Sequence, residues 1–144
     1  MATFDWTTLT FATALSTELN GLTDGTFSSS SGAIDNTVQP RNQIIALELN
    51  LASLSPATGA FVDVWIEYAA DGTNFSDHGK ALQTAGLLAT FQLDTAATTA
   101  QRLPVQFKPV LGLKFKLSAR CKAGVALNAS GNTLKYALTT DESF

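Results

Sequence analysis

The side chains able to do chemistry in this chain are few and scattered. Its 144 residues include a single histidine, His78, and a single cysteine, Cys121. One histidine is too few for a two-histidine metal motif, and the sequence has no GxSxG elbow, phosphate-cradling GxxxxGK loop or CxxC pair. His78 sits in the polar run Ser76-Asp77-His78-Gly79-Lys80 and reads as a solvated loop residue. Cys121 can form no intramolecular disulfide, and its place in an alternating run reads as a small, buried strand side chain. Asp63 and Glu67 are four apart on a strand, so they share a face at about 13 Å. That is too far for a glycosidase pair, and the two read as a solvated outer face. Asp71, Asn74 and Asp77 offer oxygen ligands of the kind calcium takes, but their spacing is not that of an EF-hand and reads as a plain turn. The expectation is a protein that is not an enzyme and needs no cofactor or metal.

Binding chemistry is better represented. Trp65 shares the Asp63/Glu67 face, opposite Val62, Val64, Ile66 and Tyr68. An exposed tryptophan there would anchor a protein partner or a sugar ring. Equally, a helix or N-terminal arm could cover it, and the sequence leaves both open. Lys114, Lys116, Arg120 and Lys122 form an outward basic row, suited to solubility or to an acidic partner surface. Hydrophobic residues make up 45% and charged residues 15%. The charged share is below the roughly 25% of an average soluble domain, which fits a surface partly hidden against partners.

Composition also bounds the classes. Net charge is −3, with nine basic residues, so direct nucleic-acid binding is not expected. No run of about 18 apolar residues predicts a membrane helix. No Lys or Arg precedes Arg41, and Asp5 lies near the start, unlike a secretory signal. The chain is expected to stay in the cytoplasm where it is made, or to join an assembly there. Asn128-Ala129-Ser130 fits a glycosylation acceptor and is discounted on the same ground.

The positioning elements read as strands. Apolar residues alternate at 45, 47, 49 and 51; at 62, 64, 66 and 68; at 87, 89, 91 and 93; at 103, 105 and 107; at 113, 115, 117 and 119; and at 134, 136 and 138. A period of two with one apolar face marks half-buried strands, and six of them predict antiparallel sheets packed face to face. Ser55-Pro56-Ala57-Thr58-Gly59, Asp71-Gly72-Thr73-Asn74 and Ser130-Gly131-Asn132 are turn sequences between them. Pro104 and Pro109 make the Val105–Phe107 strand short or an edge. Residues 1–40 read as an N-terminal arm of the same domain, before a β-sandwich over 41–144. Within the arm, Phe4, Trp6, Leu9 and Phe11 suit an opening strand. The spacing over 13–22 predicts a short helix, and Ser28-Ser29-Ser30-Ser31-Gly32 predicts a flexible loop. The fold class is therefore all-β: an antiparallel β-sandwich, jelly-roll or Greek-key-like, with a short N-terminal helix or arm.

Several phrases in order carry a resemblance: ALSTELNGLTDG (14–25), AIDN (33–36), LNLASLSP (49–56), VDVWIEYAADGTNF (62–75), FQLDT to AQRLP (91–104) and VALNASGNTLKY (125–136). Together they resemble the capsid cement or decoration proteins of tailed bacteriophages, small virion structural proteins with a β-sandwich fold. The resemblance implies a protein on the virion surface that binds the major capsid protein, itself a dimer or trimer, and stabilises the expanded lattice. It carries no binding residues over. The residues offered for partner contact are Trp65, Asp63 and Glu67, the basic Lys114, Lys116 and Arg120, and Phe27 and Arg41 from the loop-rich 20–42 region. The competing expectation is a carbohydrate-binding or head-fibre, receptor-binding module seeded on Trp65.

Overall fold

Strand after strand forms where apolar and polar residues alternate, because each then buries one face. The computed structural model describes residues 9–38, 42–76, 86–95 and 99–139. Among the described residues it is all-β, with eight strands: β1 (Ala12–Leu15), β2 (Ile44–Leu51), β3 (Phe61–Ala69), β4 (Leu87–Gln92), β5 (Gln101–Arg102), β6 (Gln106–Pro109), β7 (Lys114–Lys122) and β8 (Thr133–Thr139). They make two antiparallel sheets. The five-stranded sheet runs β1-β8-β2-β5, with β6 also on β2; the three-stranded sheet runs β4-β3-β7. Ile45, Leu47, Leu49, Leu51 and Leu134 from the first sheet join Val62, Val64, Ile66, Phe91, Phe115 and Leu117 from the second in one core cluster. Cys121 is buried in it, and burial pushes its thiol above the usual range.

The expected helix over 13–22 is not formed, and no helix occurs among the described residues. Leu15, Leu19 and Leu22 have helical spacing, but a strand end and successive turns place them instead. Leu15 ends β1, which pairs with β8. Leu19 N–H then bonds Ser16 O at 3.1 Å, and Leu22 N–H bonds Leu19 O at 3.2 Å. Both Leu15 and Leu19 are fully buried. Of the opening strand, Phe4 and Trp6 lie outside the described residues, and Leu9 and Phe11 precede β1.

The serine run is not a loose loop. Residues 25–34 form an arm along the outer edge of β7, where Phe27 bridges Arg120 and Ile34 bridges Phe115. The amides of Gly25, Ser28, Ser31 and Ile34 donate to the carbonyls of Cys121, Ala119, Leu117 and Phe115 at 2.7, 2.7, 2.8 and 2.8 Å. In return, Phe115 N–H reaches Ile34 O at 3.0 Å and Cys121 N–H reaches Thr26 O at 3.1 Å. Between them, Leu117 N–H donates to Ser31 Oγ and Ala119 N–H to Ser28 Oγ, both at 3.0 Å. Three arm residues thus span two strand residues. The arm rises only about 2.2 Å per residue against about 3.3 Å for a strand, and serine hydroxyls take the place of the missing carbonyls.

Bulges decide two further faces. Arg102 lies opposite Asn50, but Gln106 lies opposite Leu47, so four steps on one side match three on β2. The extra residue falls beside Pro104 and reverses every side chain beyond it. Leu103 points inward as expected. Val105 and Phe107, expected beside it, are exposed. The short edge expected between the two prolines is present as β6. A second shift, between Val64 and Trp65, puts Leu87 outside and leaves Leu88 against the core.

Gly124 shows how closely the turns pack. Its φ is +76°, and a Cβ there would overlap that of Ala57, whereas Gly59 has a similar φ of +75° with open space around it. Gly59→Ala should therefore cost about 1 kcal/mol from backbone strain alone, and Gly124→Ala about 3 kcal/mol once overlap is added. Urea unfolding of both variants measures the difference.

Candidate partner-binding surface

Period-two geometry puts Asp63, Trp65 and Glu67 of β3 on the outer face of the three-stranded sheet. Register places Arg120 opposite Asp63, Ser118 opposite Trp65, Lys116 opposite Glu67 and Lys114 opposite Ala69. The arm lies over part of this face, and the residues are not solvated as expected. Asp63, Trp65 and Glu67 are only 4%, 7% and 5% exposed. Trp65 takes Phe27 edge-on, with ring centroids 5.7 Å apart at 63°. Of the two alternatives left open for Trp65, the cover is the one found, and it is the arm. Gly86 also lies beside the indole: a Cβ there would meet Trp65 Cε3 at an ordinary 3.5 Å, and the tight approach, 3.0 Å, would be to the Ile66 carbonyl.

The charged side chains are cross-linked beneath and beside the arm. Arg120 Nη2 donates to Asp63 Oδ2 at 2.6 Å, and Thr90 Oγ1 to Asp63 Oδ1 at 2.8 Å, which ties β7, β3 and β4 in one row. The Arg120 guanidinium lies 5.7 Å from the Phe27 ring and 5.9 Å from the Trp65 ring, within cation–π range. Ser30 Oγ of the arm donates to Glu67 Oε1 at 2.8 Å. Lys116 Nζ sits 4.4 Å over the Phe75 ring. Phe27, Asp63, Trp65 and Arg120 are therefore one cluster, with Glu67 and Lys116 alongside. Lys114 stands apart at the strand's start, and Arg41 lies outside the described residues. In this arrangement the cluster braces the sheet and presents no open face to a sugar ring.

Sequence reasoning missed a different surface. Beyond the bulge at Pro104, Val105, Phe107, Pro109 and Leu111 alternate outward, and Phe107 and Leu111 are 59% and 57% exposed. Beside them Val38 is 71% exposed. Buried Asn36 ties the two loops together: its Nδ2 donates to Asn42 O at 2.8 Å and to Leu111 O at 2.9 Å, while its Oδ1 accepts from Asn42 N–H at 3.1 Å. Tyr68 Oη accepts from Leu111 N–H at 3.1 Å. The proline beside the alternating run was the available signal, since a strand-breaking residue there can carry a bulge. An open depression of about 210 Å³ lies between β1 and the arm, lined by Thr13, Ala14, Ser31, Ile34 and Tyr136 without a charged group.

Among the described residues, no three metal-ligating side chains come together. Asp71 is engaged as a turn cap instead. Its carboxylate accepts from Thr73 N–H at 2.9 Å and from Asn74 N–H and Nδ2 at 2.7 Å each. Asp77 and His78 lie outside the described residues.

Two outcomes follow from these contacts. Removing Arg120 leaves Asp63 buried without its cation, so Arg120→Ala should cost about 2–3 kcal/mol in urea unfolding, and Asp63→Leu with Arg120→Met should cost less. The amide bonds from Asn74 and Thr73 hold the exposed Asp71 carboxyl down to about 2, from 3.8. A lowered folded value means that the turn's contribution is complete above about pH 4 and is lost as pH falls through about 2. A carboxyl-resonance titration by NMR reads the midpoint directly. No protein-family model and no curated protein sequence matches this chain.

Proposed function

We propose that the chain is a structural binding protein of the tailed-phage capsid, working by docking on the major capsid protein rather than by catalysis. The observation that carries the reading is the exposed apolar row of Val105, Phe107, Pro109 and Leu111, with Val38 beside it. A monomer gains nothing by leaving Phe107 and Leu111 in water, whereas contiguous exposed apolar residues mark protein contacts. Anchors of this kind, ringed by polar residues, carry most of an interface's energy. The low charge fraction of 15% fits a surface partly covered in an assembly.

The fold we infer is a jelly-roll β-sandwich, a fold found in viral capsid domains. Nested pairing supports it: β1 with β8, the arm with β7, β2 with β6, and β3 with β4. In this reading the arm occupies the position of a strand in the smaller sheet. A cement role follows from mass action, because a protein that binds only the expanded lattice stabilises that lattice. Oligomerisation on the capsid would add avidity by engaging several subunits at once.

The test mixes the protein with expanded capsids of the encoding phage, stripped of accessory proteins, and with unexpanded procapsids, then sediments both. Saturable binding to the expanded form, with a raised capsid melting temperature, is expected. Phe107→Asp should weaken that binding by about tenfold or more, equivalent to about 1.4 kcal/mol, with its circular dichroism unchanged. Absence of binding to either form overturns the capsid reading.

A further inference from the structure

We propose that residues 23–33 form a strap that opens as a unit while the rest of the chain stays folded, uncovering the outer edge of β7. The proposal does not depend on the capsid reading. It starts from how unevenly the strap is held. Its ends are secured: Leu127 N–H donates to Leu22 O at 2.9 Å, and Ile34 exchanges hydrogen bonds with Phe115 in both directions. Leu19 and Ile34, just outside it, belong to the core. Between those ends, Phe27 and Ala33 are the only apolar side chains in the sequence Thr23 to Ala33, apart from glycine. Opening the strap therefore withdraws no core residue, and segments with little apolar burial open at the lowest free energy.

The bonds at its centre rest partly on side-chain hydroxyls. The Leu117 and Ala119 amides rest on the hydroxyls of Ser31 and Ser28, where a paired strand would offer backbone carbonyls. Beneath the strap three buried polar atoms have no hydrogen-bond partner among the described residues: Trp65 Nε1, Ser118 Oγ and Arg120 Nε. All three belong to the outer-face cluster that Phe27 closes over, and Trp65 and Ser118 are register partners. A buried unpaired donor is unfavourable, and opening gives each access to water. The closed state thus keeps these three atoms from water under a segment that contributes no residue to the core cluster. Opening it would present free backbone groups at Leu117 and Ala119 beside Trp65 and Arg120.

β7 supplies its own internal control. Its odd-numbered amides face the strap, and its even-numbered residues face β3. Amide hydrogen exchange of the full chain, followed residue by residue by NMR, separates the two sets. The amides of Ser28, Ser31, Leu117 and Ala119 should exchange together, about 100-fold or more faster than those of Ser118 and Arg120. Ser28→Ala with Ser31→Ala should speed the first set further, by about tenfold or more. Equal rates for odd and even β7 amides in the unmodified chain overturn the proposal, as does independent exchange of the strap and β7 amides. Failure of the double variant to speed the first set would also overturn it.

Discussion

The obligation that every buried backbone group find a partner shapes this molecule most strongly at β7. That strand carries Phe115, Leu117, Ala119 and Cys121 into the core, so it cannot leave the sheet. Its inner edge is met by β3, and its outer edge would be bare without the arm. A regular strand would meet that edge one residue for one. The sequence supplies instead a polar segment whose serines provide both an amide donor and a hydroxyl acceptor. Once the arm is laid there, Phe27 falls on Trp65 and Ser30 on Glu67, so the middle of the small sheet's outer face is covered. Buried charge then becomes unavoidable at Asp63, and the Arg120 and Thr90 contacts offset it.

The seam on the other side is closed by different means. The register shift beside Pro104 turns Gln106 inward on β6, where its Nε2 donates to Thr90 O of β4 at 2.8 Å. The same shift turns Phe107 out. One extra residue therefore both joins the two sheets at this seam and creates the exposed apolar row. The surface proposed for docking is a by-product of how that seam is bonded.

These two devices explain what could be read from the sequence. The runs at 45–51, 62–68, 113–119 and 134–138 were legible because each buries one face against the core, and the pairings of β2 with β8 and of β3 with β7 keep their register. Leu87 and Phe107 were misplaced because alternation carries no mark of a bulge, and a single inserted residue reverses the face. The helix over 13–22 was misread because Leu15, Leu19 and Leu22 satisfy helical spacing and also the path of a strand end with turns. On the candidate surface, the shared face of Asp63, Trp65 and Glu67 followed from period two alone. Their burial did not, since it depends on a long-range match between serines at 28 and 31 and amides at 119 and 117. Serine runs look the same in a solvated loop, and only the spacing of three against two distinguishes this one.

That spacing has a consequence for how the segment can vary. The arm behaves as a vernier scale laid against β7, with a contact every third division meeting every second one. Its length is in effect counted in triplets. Adding or removing three residues, serine in phase, would lengthen or shorten the contact by two strand residues and keep every hydroxyl opposite an amide. Adding or removing one would throw all the later contacts out of phase together. A segment that looks like filler by composition thus has its length matched to the strand beside it.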